Sequence, residues 1–444
     1  MNIAMEMIAL LVAGLLVVSA AAQDDADDQC PVMQADTNKC LTNEDIKSAI
    51  NQFTVQMYQQ VTALPGTVPT DNIILLPLHA SNALLMACNA ASGATQSEII
   101  DSLNLGTGIG CLDAFAIIQD MYRTVPHHSD PPQSDDDMTF NANRAFVDKS
   151  VALKPAFTAD LLQRFNQTPG VLDFKKNPNA ARNEINKWVE SKTMGNVKNF
   201  LGAGAVTSAT QLTAINAHYL QFNWAFPFDA KQTVKGTFTN ADGSTSQVDF
   251  MKLFTTSLFY FNHQAGQLAP GVPAFQMVRL PSKWGTGVLS VILPSDMKMM
   301  PVLERTLTAD MLNKAMDTAQ RRLVNLTMPK FAIEKAVNLA DAVKGLGVID
   351  LFGSGVDLTS MTDQSVRIDG IVHKAMIDVN ERGLKAVAAS SMAVAARRTI
   401  AVGTALDLKV DKPFLFVIRM ENLRFLTYIG RVSKLAANAL MTSS

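Results

Sequence analysis

At 444 residues, 48% hydrophobic and 18% charged, the chain is long enough for one large mixed domain or two ordinary ones. A formal net charge of −2 excludes broad binding to nucleic acid or anionic membranes, so any basic site must be a local patch. Read in order, the first element is an apolar run, Met7 to Val18, followed by Ser19-Ala-Ala-Ala22. This is too short for a membrane span and ends in a small-residue cleavage pattern, so residues 1–22 are expected to be a signal peptide and the mature chain secreted and extracellular. The start departs from the usual pattern in carrying Glu6 and no basic residue.

Residues 23–44 form a polar leader, expected to be flexible, that holds Cys30 and Cys40; Cys88 and Cys111 lie further on. The spacing lacks the close pairs of a zinc site and leaves three disulfide pairings open. We expect bridges tying the leader to the body through Cys88 and Cys111, the alternative being Cys88 as a buried free thiol. Helical periodicity then runs from Glu44 to Thr62, a strand over Asn72 to Pro77, and a second helix over Ala80 to Ala91. Thr95-Gln-Ser-Glu98 has the pattern of a capping box. Residues 126–137 make an acidic loop without periodicity, and strand signal resumes at Phe140 to Val147. An amphipathic helix is expected over Ala180 to Asn199, strands dominate from Leu212 to Met328, and the last clear helix is Asp341 to Leu346. Early helices followed by many strands point to one α+β domain.

The segment Asn380 to Thr399 carries the chemistry. Gly383 leads into a run of small uncharged side chains that ends in Arg397 and Arg398. Small residues insert readily into a sheet, and paired arginines in an exposed loop suit a trypsin-like protease, whose buried carboxylate binds a guanidinium through charge-assisted hydrogen bonds. Strand alternation puts Leu384, Ala386, Ala388, Ser390, Met392 and Val394 on one face and Lys385, Val387, Ala389 and Ser391 on the other.

Five blocks in order resemble the serpin family of serine protease inhibitors: Ile185-Asn-Lys-Trp-Val189, Asn216-Ala-His-Tyr219 with Trp224, Met328-Pro-Lys-Phe331, His373 to Gly383, and Asp411 to Arg419 with Gly430-Arg-Val432. The resemblance covers residues 45–435, leaving a C-terminal tail of 436–444. It implies an α+β serpin fold with three β-sheets, about eight or nine helices and an exposed reactive loop. It also implies a non-enzymatic, cofactor-free, monomeric inhibitor that forms a covalent complex with a trypsin-like protease and then inserts its cut loop into the central sheet. By family spacing from Glu381, the reactive bond follows Arg397, with Arg398 as runner-up. The hinge is Glu381, Arg382, Gly383, Leu384, Lys385, Ala386, Val387, Ala388, Ala389 and Ser390. Leu384 replaces the usual threonine or serine and is bulkier, which would slow insertion.

The resemblance also places His373 near Asn216 beneath the point where the sheet opens, and Leu76 and His79 where serines are usual, which implies a rewired local network. The region matching the heparin-binding helix of some serpins, Leu112 to Arg123, has one base only, so activation through it is not expected. Asn166-Gln-Thr168 and Asn325-Leu-Thr327 are glycosylation triplets. Asn166 reads as exposed; Asn325 lies on a strand, either exposed or under a helix. No catalytic triad or metal-ligand spacing is present. The rival readings are a non-inhibitory serpin acting as a carrier or storage protein, and a protein released by proteolysis at the arginine pair.

Overall fold

A computed structural model describes residues 32–33, 40–106, parts of 110–118, 138–165, 168–384 and 404–436. The leader contributes a two-residue ladder, β1 (Val32–Met33) with β2 (Cys40–Leu41). Helix α1 (Asn43–Ala63) begins one residue earlier than its periodicity suggested, because Thr42 and Asp45 form a reciprocal capping box. Strand β3 (Ile73–Leu75) feeds α2 (Pro77–Ala90), whose proline occupies the first turn, where its missing N–H costs nothing.

The capping-box pattern at residues 95–98 works differently. Helix α3 (Gly93–Ser102) starts before it, with no side-chain cap on Ser92. Thr95 Oγ1 instead accepts from the Asp357 N–H, and the Glu98 carboxylate accepts from the N–H groups of Ile349 and Asp350. Both side chains are spent on tertiary capping of distant turns.

Six strands form the central sheet in the order β12 (Phe331–Asn338), β13 (Gly370–Val379), β14 (Gly383–Leu384), β6 (Leu212–Asn223), β4 (Met138–Asp148), β5 (Gly170–Leu172). Helix α4 (Pro178–Lys192) crosses one face. Its Ile185 and Val189 pack on Ile215, Ala217, Tyr219 and Met376. The helix stops short of Asn199 because Met194 and Gly195 take positive φ and Gly195 N–H closes on Glu190 O. The other face lies on the main core. There α1, α2 and α3 cover one part, and a second sheet covers the rest.

That second sheet has nine strands along β15 (Leu406–Lys409), β11 (Gln320–Pro329), β8 (Thr245–His263), β9 (Phe275–Pro281), β10 (Gly287–Pro294), β16 (Phe414–Met420), β17 (Phe425–Val432) and β3, with β7 (Val234–Thr239) also on β8. Nineteen-residue β8 is long enough to serve both halves of this surface. Phe414 and Phe416 of β16 meet Phe331 of β12, welding the two large sheets together.

Candidate functional site

The central sheet opens at one end like a fork. Strands β6 and β13 run parallel and pair directly over seven positions, from Thr213–Gly370 to Tyr219–Met376. Beyond Met376 the chain reaches Val379, turns through Asn380, Glu381 and Arg382, and comes back as Gly383–Leu384 between the two strands. In this short return Leu384 is opposite Val379 on one side and Phe222 on the other, antiparallel to both.

Local chemistry fixes this turn from all sides. Asn380 N–H donates to Gly383 O at 3.0 Å. Trp224 donates its indole N–H to Asn380 O at 2.8 Å and its backbone N–H to Arg382 O at 2.7 Å. The Glu381 carboxylate accepts from Thr233 Oγ1 at 2.8 Å and pairs with Lys330 at 3.0 Å. Burial works to raise its pKa, but the Thr233 hydroxyl, its own N–H and the Lys330 ammonium outweigh this and hold it below the ordinary carboxyl value.

Gly383 has strand conformation rather than positive φ. Its lack of a side chain matters for contact, since a Cβ there would lie 2.0 Å from Phe222 O and 2.8 Å from Asn223 Cα. Leu384 is 1% exposed and packs in the same core as Phe222, Val379 and Ile377. Its bulk therefore fits the sheet before any cut is made. Lys385 to Ser390, Arg397 and Arg398 lie outside the described residues.

Further down the fork, His373 and Asn216 are opposite each other and buried. His373 Nε2 accepts from the Leu76 backbone N–H at 3.1 Å, so the proton must be on Nδ1, which donates to Asn216 Oδ1 at 3.0 Å. Asn216 Nδ2 has no partner among the described residues. His79 on α2 faces Asn143 of β4, with Nδ1 3.0 Å from the amide nitrogen. Burial lowers the pKa of His79 to about 4; burial, with His79 nearby, lowers that of His373 to about 3. Both imidazoles are thus neutral in the folded protein at pH 7. Two histidines tie α2 and the β3 end to strands β4, β6 and β13.

The family model described as "Serpin (serine protease inhibitor)" matches residues 48–435. The chain is a serpin. Iripin-2 of Ixodes ricinus is 28% identical over 89% of this chain and 96% of its own length. Neuroserpin of Mus musculus is 28% identical over 86% and 90%. The crystal structure of Serpin48, a highly specific serpin of the insect Tenebrio molitor, has a TM-score of 0.75 at 25% identity, covering 89% of this chain and 99% of that one. Human thyroxine-binding globulin, in complex with its hormone, is as similar in fold, at a TM-score of 0.75 and 21% identity over 89% of this chain and 100% of that one, so a ligand-binding protein shares this architecture.

One cysteine expectation is corrected in this serpin. Cys88 at the end of α2 is bonded to Cys111, with Cα atoms 5.7 Å apart, so neither Cys88 nor Cys111 ties the leader to the body, and Cys88 is no free thiol. The chain returns past α3 and brings Cys111 alongside the helix, a proximity that spacing alone does not reveal. Cys30 lies outside the described residues, as does Asn166. Asn325 is exposed on β11 and donates Nδ2–H to Asp407 Oδ1 at 2.7 Å. Most of the segment matching the heparin-binding helix, and the acidic loop at 126–137, also lie outside the description. Sequence reasoning did not single out Thr233, Lys330 or Trp224 as hinge clamps. The last two stood within quoted family blocks, which was the available signal; nothing in the sequence marked Thr233.

Proposed function

We propose that this serpin is a secreted suicide-substrate inhibitor of arginine-specific, trypsin-like serine proteases, with Arg397 as bait. The observation that carries the reading is β14. Gly383 and Leu384 already occupy the first two positions of a strand antiparallel to β6 and β13. Continuing that register leads Lys385 opposite Gln221 and Asp378, a cross-strand match of opposite charge with Asp378. Lys385 and Ala386 fill the fork, and Val387 to Ala393 then displace the seven β6–β13 pairs one by one. Ser390 arrives between Asn216 and His373, where its hydroxyl can accept from the unpartnered Asn216 amide.

In the reaction the protease serine Oγ bonds to the Arg397 carbonyl carbon, the bond to Arg398 breaks, and the new amine leaves on Arg398. The freed segment, still esterified to the protease, is drawn into the sheet. Insertion trades one ladder for two, a net gain of one row of hydrogen bonds rather than two, because β6 and β13 are already paired.

The test is to mix the protein with trypsin and look for a denaturant-resistant complex. A covalent adduct supports the inhibitor. Cleavage with a large rise in heat stability and no adduct leaves a substrate-like serpin. Cleavage with neither supports the carrier, storage or release readings.

A further inference from the structure

Phe254 is 65% exposed in the middle of β8, beside an irregularity in the pairing of β8 with β11 between Arg322 and Val324. Its directly opposite neighbour on β11 is Asn325, the asparagine of the Asn325-Leu-Thr327 triplet, and on the far side of Asn325 lies Asp407 of β15. All three side chains are exposed, in a row across three adjacent strands. Opposite residues of an antiparallel pair have Cβ atoms about 4.5–5.5 Å apart.

We infer that Asn325 carries an N-linked glycan and that the ring of Phe254 is the platform on which its first sugar rests. The Asn325 Nδ2 already gives one N–H to Asp407 Oδ1. A primary amide nitrogen has two such hydrogens. The second is not used by Asp407, and this is the position a sugar takes. In the transfer, Nδ2 bonds to C1 of the first N-acetylglucosamine and the C1–O bond to a lipid pyrophosphate carrier breaks. The displaced amide proton leaves with the carrier. The remaining N–H keeps Asp407, so the clasp between β11 and β15 survives modification. The apolar C–H face of the sugar then covers the aromatic face that the protein leaves bare. Because β15 is the strand on which the chain resumes after the reactive loop, the glycan sits at the loop's distal anchor.

The experiment uses the full chain with an established secretion signal fused ahead of Met1, made in a eukaryotic cell and recovered from both medium and secretory compartments. Entry to that pathway is then independent of residues 1–22, and the trypsin-trapping result is independent of this one. Peptide mass spectrometry after glycosidase treatment is expected to find Asn325 converted to aspartate, and Thr327→Ala to remove that signal while sparing the amide. Phe254→Ala is expected to lower the melting temperature by about 2 °C in the glycosylated protein and to leave it unchanged in the Thr327→Ala background. An unmodified Asn325 in protein that has entered the pathway overturns the proposal. So does a Phe254→Ala effect of equal size in both backgrounds.

Discussion

Replacing Leu384 with aspartate should separate the folding of this serpin from its trapping. The leucine side chain is wholly buried between Phe222 and Val379, which contributes about 1.5–3 kcal/mol of apolar transfer. An unpaired carboxylate in the same place costs several kcal/mol more. The total, on the order of 5 kcal/mol, would empty β14 by a factor of roughly a thousand or more. The seven β6–β13 pairs below are untouched, so the uncut variant should fold and melt close to the parent. After cleavage the same penalty opposes the first step of insertion. Trypsin should therefore cut Leu384→Asp quantitatively, with no stable adduct on a denaturing gel and no gain in melting temperature for the nicked chain. Leu384→Thr, which keeps the site uncharged, should still trap. An aspartate variant that captured trypsin mole for mole would refute the register on which the mechanism is built.

Gly383→Ala should also expel β14, since its Cβ would collide with the Phe222 and Asn223 backbone, and the stoichiometry of inhibition should rise well above one. Asp378→Lys would set two lysines opposite each other in the inserted sheet, at a cost of about 0.2–1 kcal/mol; stoichiometry should worsen by up to about fivefold, and Lys385→Glu in the same chain should restore it. Arg397→Ala should lower the association rate with trypsin by more than about 100-fold, and Arg398→Ala by far less, as stopped-time inhibition assays would show. His79 and His373 have folded pKa values near 4 and 3, below the unfolded value of about 6.5. Their contribution is complete above pH 6.5 and is lost as pH falls towards those folded values, by roughly 2 kcal/mol each at pH 5. Urea unfolding of the uncut protein between pH 7 and 4.5 should show that slope, and His79→Gln should remove about half of it.

Much of this architecture was legible because local and global signals agree. The helical periodicity of residues 44–62 and the strand signal over Phe140 to Val147 each name their own element, whereas the Thr42–Asp45 cap and the helical place of Pro77, which reads as the end of a strand, were missed. The motif at residues 380–384 was readable, but its seating was not. No pattern in residues 380–384 reveals that Leu384 is already enclosed, because that depends on Phe222 arriving from a strand about 160 residues earlier. The same limit explains Thr95 and Glu98, whose spacing fits a local cap while their oxygens serve Asp357, Ile349 and Asp350. The Cys88–Cys111 bond was missed for want of a third dimension, since four cysteines in a line carry no pairing information. In the opening region the departures Leu76 and His79 announced a rewired network, and the tautomer of His373 follows only once Leu76 N–H is seen to point at it.

The two-residue strand Gly383–Leu384 gives the molecule what a nucleic-acid chemist would call a toehold. An invading strand that starts from a docked end need never meet a sheet with all its bonds broken; it advances by migration, exchanging one old pair for new ones at each step. The barrier is thereby divided into small increments. In the proposed trapping mechanism, where burial of the tether competes with hydrolysis of the ester that holds the captive enzyme, the head start is built in before the bait is bitten.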